Sequence, residues 1–306
     1  MYALAVRSRI LGGLVAVALV VAACGGSAAP NGSGPEPSAG RPSVIPVIVT
    51  VEQIVGPNRL LFSLRDPGTK EPVARPDRPV SVAFTDPAGV AGAAMDGRFI
   101  WAIEGSRGVY VVNTTFGSAG TWKAAFTTMG ATGAPETIVV SFDVREQGTT
   151  VSVGDQAPSV KTPTLADVDG NVAAISTDPE PVPAFYEHSV DELLGASTPF
   201  ALVFATPKFC KSAQCGPTLE RVKAVAAQRP GFTVVNVEPY QLDYTDGALQ
   251  LRLDANGQLQ AVPASDAYGL VTEPWVFVID GGGTITTSLE GVFADEELLA
   301  AIDAVG

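Results

Sequence analysis

Cys210 and Cys215 are the two residues whose chemistry and spacing predict a reaction. A cysteine reacts as its thiolate, which is stabilised at the first turn of a helix by free main-chain N–H groups and by the helix dipole. Cys215 is followed by Gly216 and Pro217, and proline suits the first helical turn because its missing N–H would have no partner there. The sequence therefore predicts that a helix starts at Cys215 and that Cys215 is the more reactive thiol.

Buried strands and helices must hold this pair in place. Residues 200–205 form a continuous apolar run, as expected for a strand covered on both faces of a sheet. The main part of the helix that starts at Cys215 is predicted over residues 218–228, and a second buried strand is predicted over residues 232–237. This order predicts parallel pairing of the two strands. A hairpin over residues 275–289 and a last helix from Asp295 complete the segment.

These features together resemble the thioredoxin-like family. Residues 215–217 (Cys-Gly-Pro) are similar to the start of the family motif Cys-Gly-Pro-Cys, and residues 273–275 (Glu-Pro-Trp) open a late strand where the family carries its cis-proline. Residues 153–158 resemble the entry segment of the extracytoplasmic branch of this family. The resemblance implies an α/β thioredoxin-like domain over residues 151–306.

The resemblance also implies roles for individual residues. Cys215 would be the attacking thiol, and Cys210 would resolve the mixed disulfide because Thr218 occupies the usual resolving position. Glu273 and Pro274 would form the surface where a substrate strand binds. The expected function is that of a thiol–disulfide oxidoreductase without a cofactor, acting on thiol- or disulfide-bearing proteins of the cell envelope.

Other interpretations of the same cysteines stay open. A structural disulfide between Cys210 and Cys215 would stabilise a non-catalytic envelope protein in an oxidising compartment, with the all-β domain described below binding a partner. Copper-delivery proteins with a cysteine pair need a downstream histidine, whereas His188 lies upstream, so no metal site is predicted. Peroxidase chemistry needs a proline and a threonine at set positions before the cysteine, and neither cysteine has them.

Residues 44–150 have the pattern of an all-β domain. Runs of Val, Ile, Phe and Thr alternate with turn residues and predict seven strands without a helical period. The stretch from Gly105 to Tyr110 resembles the tyrosine corner of immunoglobulin-like folds, which implies an Ig-like β-sandwich. No site is predicted here, because the segment has no His or Cys and its aspartates lack metal-loop spacing.

The first 43 residues predict export and lipid anchoring. Arg7 and Arg9 precede an apolar run that is too short for a stable membrane helix, so residues 1–23 are interpreted as a signal peptide. The run ends in Val-Ala-Ala-Cys, which resembles the lipobox of bacterial lipoproteins and implies that Cys24 is lipidated. Residues 24–43 are rich in Gly, Ser and Pro and predict a flexible tether. The expected location is the outer face of the cell membrane.

Chain length and net charge limit the number of domains and the classes of partner. A chain of 306 residues favours two domains. The chain has 19 basic and 32 acidic residues, and loss of Arg7 and Arg9 with the leader changes its net charge from −13 to −15. This excess of negative charge disfavours nucleic acid and anionic lipid surfaces as partners. The expected attachment to the membrane is the lipid on Cys24 that the lipobox resemblance implies.

Overall fold

Sheets dominate the structure. The computed structural model of the chain describes residues 41–306, so the predicted signal peptide, Cys24 and most of the tether lie outside the described residues. The strands are β1 (Ile45–Ile48), β2 (Gly56–Arg65), β3 (Val80–Thr85), β4 (Met95–Asp96), β5 (Arg98–Ile103), β6 (Arg107–Phe116), β7 (Gly120–Met129), β8 (Pro135–Val144), β9 (Phe200–Phe204), β10 (Thr233–Val237), β11 (Leu242–Thr245), β12 (Ala248–Leu251), β13 (Trp275–Ile279) and β14 (Ile285–Glu290). The helices are α1 (Val190–Gly195), α2 (Cys215–Ala227), α3 (Pro263–Ala267) and α4 (Asp295–Asp303).

Strands β1 to β8 form a sandwich of two antiparallel sheets. The strand orders are β1-β2-β6-β5 and β4-β3-β7-β8. Burial alternates along β3, as expected for a strand with one face in a core. In that core the ring of Phe62 stacks on the ring of Tyr110, with 5.3 Å between the ring centroids, and lies 4.8 Å from the ring centroid of Phe126. The hydroxyl of Tyr110 donates to the carbonyl of Arg78 at 2.8 Å, so the buried tyrosine on β6 is linked to the main chain just before β3.

The second part is built on a four-stranded mixed sheet of order β10-β9-β13-β14. Strand β9 pairs parallel with β10 and antiparallel with β13. Helices α2 and α4 pack on one face of this sheet, and α1 and α3 pack on the other. Because both faces are covered, every residue of β9 is buried, which accounts for its continuous apolar sequence.

A partly buried ion pair joins the sandwich to the last helix. The guanidinium of Arg59 binds the carboxylate of Glu297 through two contacts of 2.8 and 3.0 Å, and Arg98 approaches the same carboxylate at 2.9 Å. Nearby, Arg221 of α2 donates to the carbonyl of Trp101 at 3.1 Å. Residues 41–306 accordingly form one compact unit, and the domain boundary at residues 150–151 stays a prediction.

The predicted fold class, an Ig-like sandwich followed by a thioredoxin-like α/β domain, was wrong. The described chain is mostly β-sheet, and its four α-helices are short, the longest having 13 residues. The chain after β10 forms the ribbon β11–β12, and α1 and α3 are single turns of six and five residues. The sandwich has eight strands where seven were predicted, because the two-residue strand β4 is too short to leave a sequence pattern.

Candidate thiol site

The loop between β9 and α2 carries both cysteines. Cys215 is the first residue of α2, and its side chain is completely buried in the core under the helix. Cys210 lies in the loop and is half-buried. Both thiols are free, so the predicted disulfide between them was wrong for this structure.

Main-chain hydrogen bonds fold the loop so that Cys210 returns toward the helix. The carbonyl of Thr206 accepts the N–H of Cys210 at 3.0 Å. Ala213 has a φ of 58°, in the left-handed region, and its N–H donates to the carbonyl of Cys210 at 3.3 Å. The reversal places the sulfur of Cys210 in front of the N-terminus of α2, where the N–H of Cys215 donates to it at 3.3 Å.

Hydrogen-bond donors surround the sulfur of Cys210. The thiol of Cys215 donates to it and, although burial opposes ionisation, Ser212 and the main-chain N–H groups of Cys215 and Gln214 add to the effect. Ser212 Oγ lies 3.2 Å from this sulfur. Together these donors lower the pKa of Cys210 well below the usual range of a thiol, which favours its thiolate form.

The same hydrogen bond has the opposite effect on Cys215. Donation to Cys210 holds the proton on Cys215, burial adds to this, and the pKa of Cys215 is raised well above the usual range of a thiol. The N–H of Thr206 is the one donor that opposes this shift. Cys215 is thus a neutral thiol in the core.

This geometry reverses the roles that the sequence predicted for the two cysteines. Cys215 does begin a helix, but the dipole and free N–H groups act on the sulfur of Cys210, which reaches them from the loop. Cys210 is the accessible, ionised thiol and Cys215 is the protonated, buried one. The sequence prediction was wrong because it placed the thiolate on the residue that starts the helix, without knowing which sulfur the loop brings there.

Glu273 and Pro274 lie beside the cysteine pair. The Glu273–Pro274 peptide bond is cis. A carboxylate oxygen of Glu273 and the sulfurs of Cys210 and Cys215 all lie within 4.8 Å of one another. Burial raises the pKa of Glu273, and the charge of Cys210 adds to this effect. The structure therefore brings three of the predicted site residues, Cys210, Cys215 and Glu273, together in one cluster, and Pro274 adjoins Glu273 through the cis bond.

Tyr240 belongs to the same cluster and was missed in the sequence. Its hydroxyl donates to Glu273 Oε2 at 2.5 Å. Burial raises the pKa of Tyr240, and the Glu273 carboxylate raises it further. Tyr240 follows β10, just as the cysteine loop follows β9, and the carboxyl ends of parallel strands meet at one edge of a sheet. This position at the carboxyl end of a parallel strand is the sequence signal that could have identified Tyr240 as a site residue.

Other charged candidates have separate places. Lys208 lies two residues before Cys210, and its Nζ donates to the carbonyl of Leu249 at 2.8 Å. Lys211 acts on Glu273, where its charge lowers the pKa of the carboxyl against the effect of burial. His188 is exposed just before α1 and lies outside the cluster.

The cluster is incomplete as a metal centre. Two sulfurs and a carboxylate are donor atoms that zinc accepts, but a structural zinc site is closed by four such ligands. Among residues 41–306, no further His, Cys, Asp or Glu joins this group of three. The arrangement suits thiol chemistry better, because one sulfur is ionised and the other keeps a proton within reach of a carboxylate.

The part of the chain that the structure describes has no helix long and apolar enough to cross a membrane. The predicted attachment through Cys24 depends on residues outside that part, so it stays a prediction. The expected partners, envelope proteins that carry thiols or disulfides, stay a prediction as well.

Comparisons with known proteins add little to this picture. No family model matches the chain, and no curated protein matches it. A crystal structure of a DUF4426 family protein from Pseudomonas aeruginosa is 10% identical with a TM-score of 0.22, over 30% of this chain and 77% of that one. The PmoD soluble domain from Methylocystis is 14% identical with a TM-score of 0.23, over 34% of this chain and 93% of that one. At these TM-scores neither likeness carries an argument about this chain. The resemblance to the thioredoxin-like family was wrong on the fold itself, which is mostly β-sheet with few, short helices.

Proposed function

We propose that this chain exchanges thiols and disulfides with partner proteins, with Cys210 as the attacking thiolate and Cys215 as the resolving thiol. The observation that carries the proposal is the arrangement of the two sulfurs. One is half-exposed and stabilised as a thiolate, and the other is buried, protonated and close enough to follow it. The proposal rests on this arrangement and needs no thioredoxin fold.

The reaction balances as two displacements. The Cys210 thiolate attacks one sulfur of a partner disulfide, the partner's S–S bond breaks, and one partner thiolate leaves. Cys215 then loses its proton and attacks the Cys210 sulfur, which releases the second partner thiolate and leaves a Cys210–Cys215 disulfide. The partner gains two electrons and the chain loses two, and an external dithiol restores the reduced pair.

The experiment compares how two cysteine variants react with a model disulfide substrate. Cys215→Ser removes the resolving thiol, so a mixed disulfide on Cys210 should accumulate and be visible by mass spectrometry. Cys210→Ser is the matched control and should form none while folded. The wild-type couple should have a reduction potential above about −300 mV, the value below which structural disulfides usually lie.

The opposite results would support the interpretation that both cysteines are structural. In that case the oxidised pair would resist dithiothreitol until the protein unfolds, and Cys215→Ser would trap no partner. A non-catalytic envelope protein stabilised by a disulfide would then replace the exchange function.

We also propose that Cys24 carries a lipid that holds the chain on the outer face of the membrane. The support is the signal-like leader ending in Val-Ala-Ala-Cys at Cys24 and the tether that follows it. Replacing Cys24 with serine should move the protein from the membrane to the soluble fraction. A Cys24→Ser protein that stays with the membrane, together with wild-type protein that is mainly unprocessed, would rule out this anchor.

A further inference from the structure

We infer that Glu273 accepts the proton of Cys215 when Cys215 attacks the mixed disulfide, and that Tyr240 holds the Glu273 carboxylate in position. The inference rests on the exchange function proposed above. The role of Glu273 concerns the second displacement only. It can therefore be disproved while the attack by Cys210 in the first displacement is still observed.

The three participating groups come from separate segments and meet at one point. The sulfur of Cys215 lies under α2, Glu273 precedes β13, and Tyr240 follows β10. The Glu273 carboxylate lies within 4.8 Å of both cysteine sulfurs, a separation that a direct contact or one intervening water can span. On its other side the carboxylate accepts the hydroxyl of Tyr240 at 2.5 Å.

The buried thiol loses its own acceptor during the reaction. In the reduced protein, Cys215 donates its proton toward the Cys210 thiolate. Once the Cys210 sulfur is bonded to a partner it no longer carries the negative charge that attracts this proton. Cys215 has no exposed surface through which bulk water could take the proton. Among the described residues, Glu273 is the carboxylate that lies within reach.

The proton and electron pairs then balance. The S–H bond of Cys215 breaks, its proton passes to a carboxylate oxygen of Glu273, and the sulfur's electron pair forms the bond to Cys210. The bond between Cys210 and the partner sulfur breaks, and the partner leaves as a thiolate. The proton on Glu273 passes to that thiolate or to water, which regenerates the carboxylate.

Burial and three neighbouring groups set the pKa of Glu273. Burial raises the pKa of its carboxyl and the Cys210 thiolate adds to this, whereas the hydroxyl of Tyr240 and the charge of Lys211 lower it. The carboxylate in turn raises the pKa of Cys215. The rate of the second displacement should therefore rise with pH as Glu273 ionises and then level off, because only the carboxylate accepts a proton.

The test separates the two displacements in one reaction. Reduced protein is mixed with less than one equivalent of 5,5′-dithiobis(2-nitrobenzoate), which releases one coloured thiolate when Cys210 attacks and a second when Cys215 resolves. Glu273→Gln should leave the first release at least as fast and slow the second about 100-fold at neutral pH, a typical loss for a general base. Its second release should rise with pH without levelling off.

Conservative variants distinguish proton transfer from a structural effect. Glu273→Asp should keep the levelling of the rate with pH, and Tyr240→Phe should move that levelling to higher pH because the carboxylate loses its donor. Glu187→Gln and Tyr244→Phe change exposed residues and should behave as wild type. If Glu273→Gln keeps the wild-type second release at every pH, Glu273 is not the acceptor. If wild type gives no second release, the exchange function itself fails.

Discussion

The main-chain N–H of Cys215 donates a hydrogen bond to the sulfur of Cys210 over 3.3 Å. The residue that begins α2 thereby stabilises negative charge on a different cysteine, five positions earlier in the chain. Its own sulfur is turned into the core and keeps its proton. Two cysteines near one helix N-terminus therefore have opposite ionisation states.

Alkylation of the reduced protein should report this difference. With iodoacetamide, labelling of Cys210 should follow a pKa of about 5, far below the roughly 8.5 of a free cysteine, whereas Cys215 should stay unlabelled until the protein unfolds. Ser212→Ala should raise the pKa of Cys210, because one donor to the thiolate is lost. The exposed Ser118→Ala is the control. Labelling of both cysteines with an unshifted pKa would contradict the assignment.

The ion pair of Glu297 should stabilise the protein in a defined pH range. Burial opposes ionisation of this carboxyl, yet Arg59 and Arg98 lower its pKa to about 2. A folded-state pKa below the unfolded value gives stability that is present above about pH 4.5 and lost as pH falls toward 2. Glu297→Gln should therefore lower the free energy of unfolding at neutral pH by about 2–4 kcal/mol, since the partly buried Arg59 loses its charged partner.

Denaturant unfolding at several pH values checks this expectation. The difference between wild type and Glu297→Gln should shrink as the pH falls from 4.5 to 2. Glu296→Gln, an exposed change in the same helical turn, should leave stability within about 0.5 kcal/mol of wild type. An equal loss of stability in both variants would show that the ion pair does not contribute to the free energy of unfolding.

The stability that Glu238 contributes should have a pH dependence opposite to that of Glu297. Burial raises its pKa to about 7, so the folded protein holds this proton more tightly than the unfolded chain. The stability from that proton is present below about pH 4.5 and lost as pH rises through 7, by about 3–4 kcal/mol. Glu238→Gln keeps an acceptor for the N–H of Thr177, which donates at 2.6 Å, and should not lose stability over that range.

Thermal or denaturant unfolding between pH 4 and 9 measures this difference. Glu290, whose pKa burial also raises to about 7, is present in both proteins, so the comparison isolates Glu238. Glu187→Gln is the exposed control. Parallel stability curves for wild type and Glu238→Gln would mean that the buried carboxyl titrates as in the unfolded chain.

Gly269 should tolerate no side chain. Its φ is +64°, and a Cβ at this position would lie 1.8 Å from the carbonyl oxygen of Thr149. Gly269→Ala should lower the free energy of unfolding by more than about 2 kcal/mol, because the main chain at Thr149 must move. Gly257→Ala has a similar φ of +74° and open space around it, and should cost only about 1 kcal/mol. Equal losses would show that the contact with Thr149 is unimportant.

Local sequence patterns predicted many elements correctly but not the fold class. Each of the seven predicted strand segments of residues 44–150 contains a strand, and residues 200–204 form the buried strand β9. The pattern after β10 was insufficient, because the ribbon β11–β12 and the single-turn helix α3 have too few residues for a clear period. A strand, a helix and a second strand were therefore taken as part of a larger α/β domain that the chain does not form.

The sequence alone determined where α2 begins, because Cys215, Gly216 and Pro217 suit a first helical turn whatever surrounds them. It could not determine which sulfur is ionised or that Tyr240 and Glu273 belong to the site. Those properties depend on burial and on distances between segments that lie far apart in the chain. Only the packing of the loop, β10 and β13 at one edge of the sheet decides them, since the pKa of a thiol or carboxyl responds to every group that the fold brings near it.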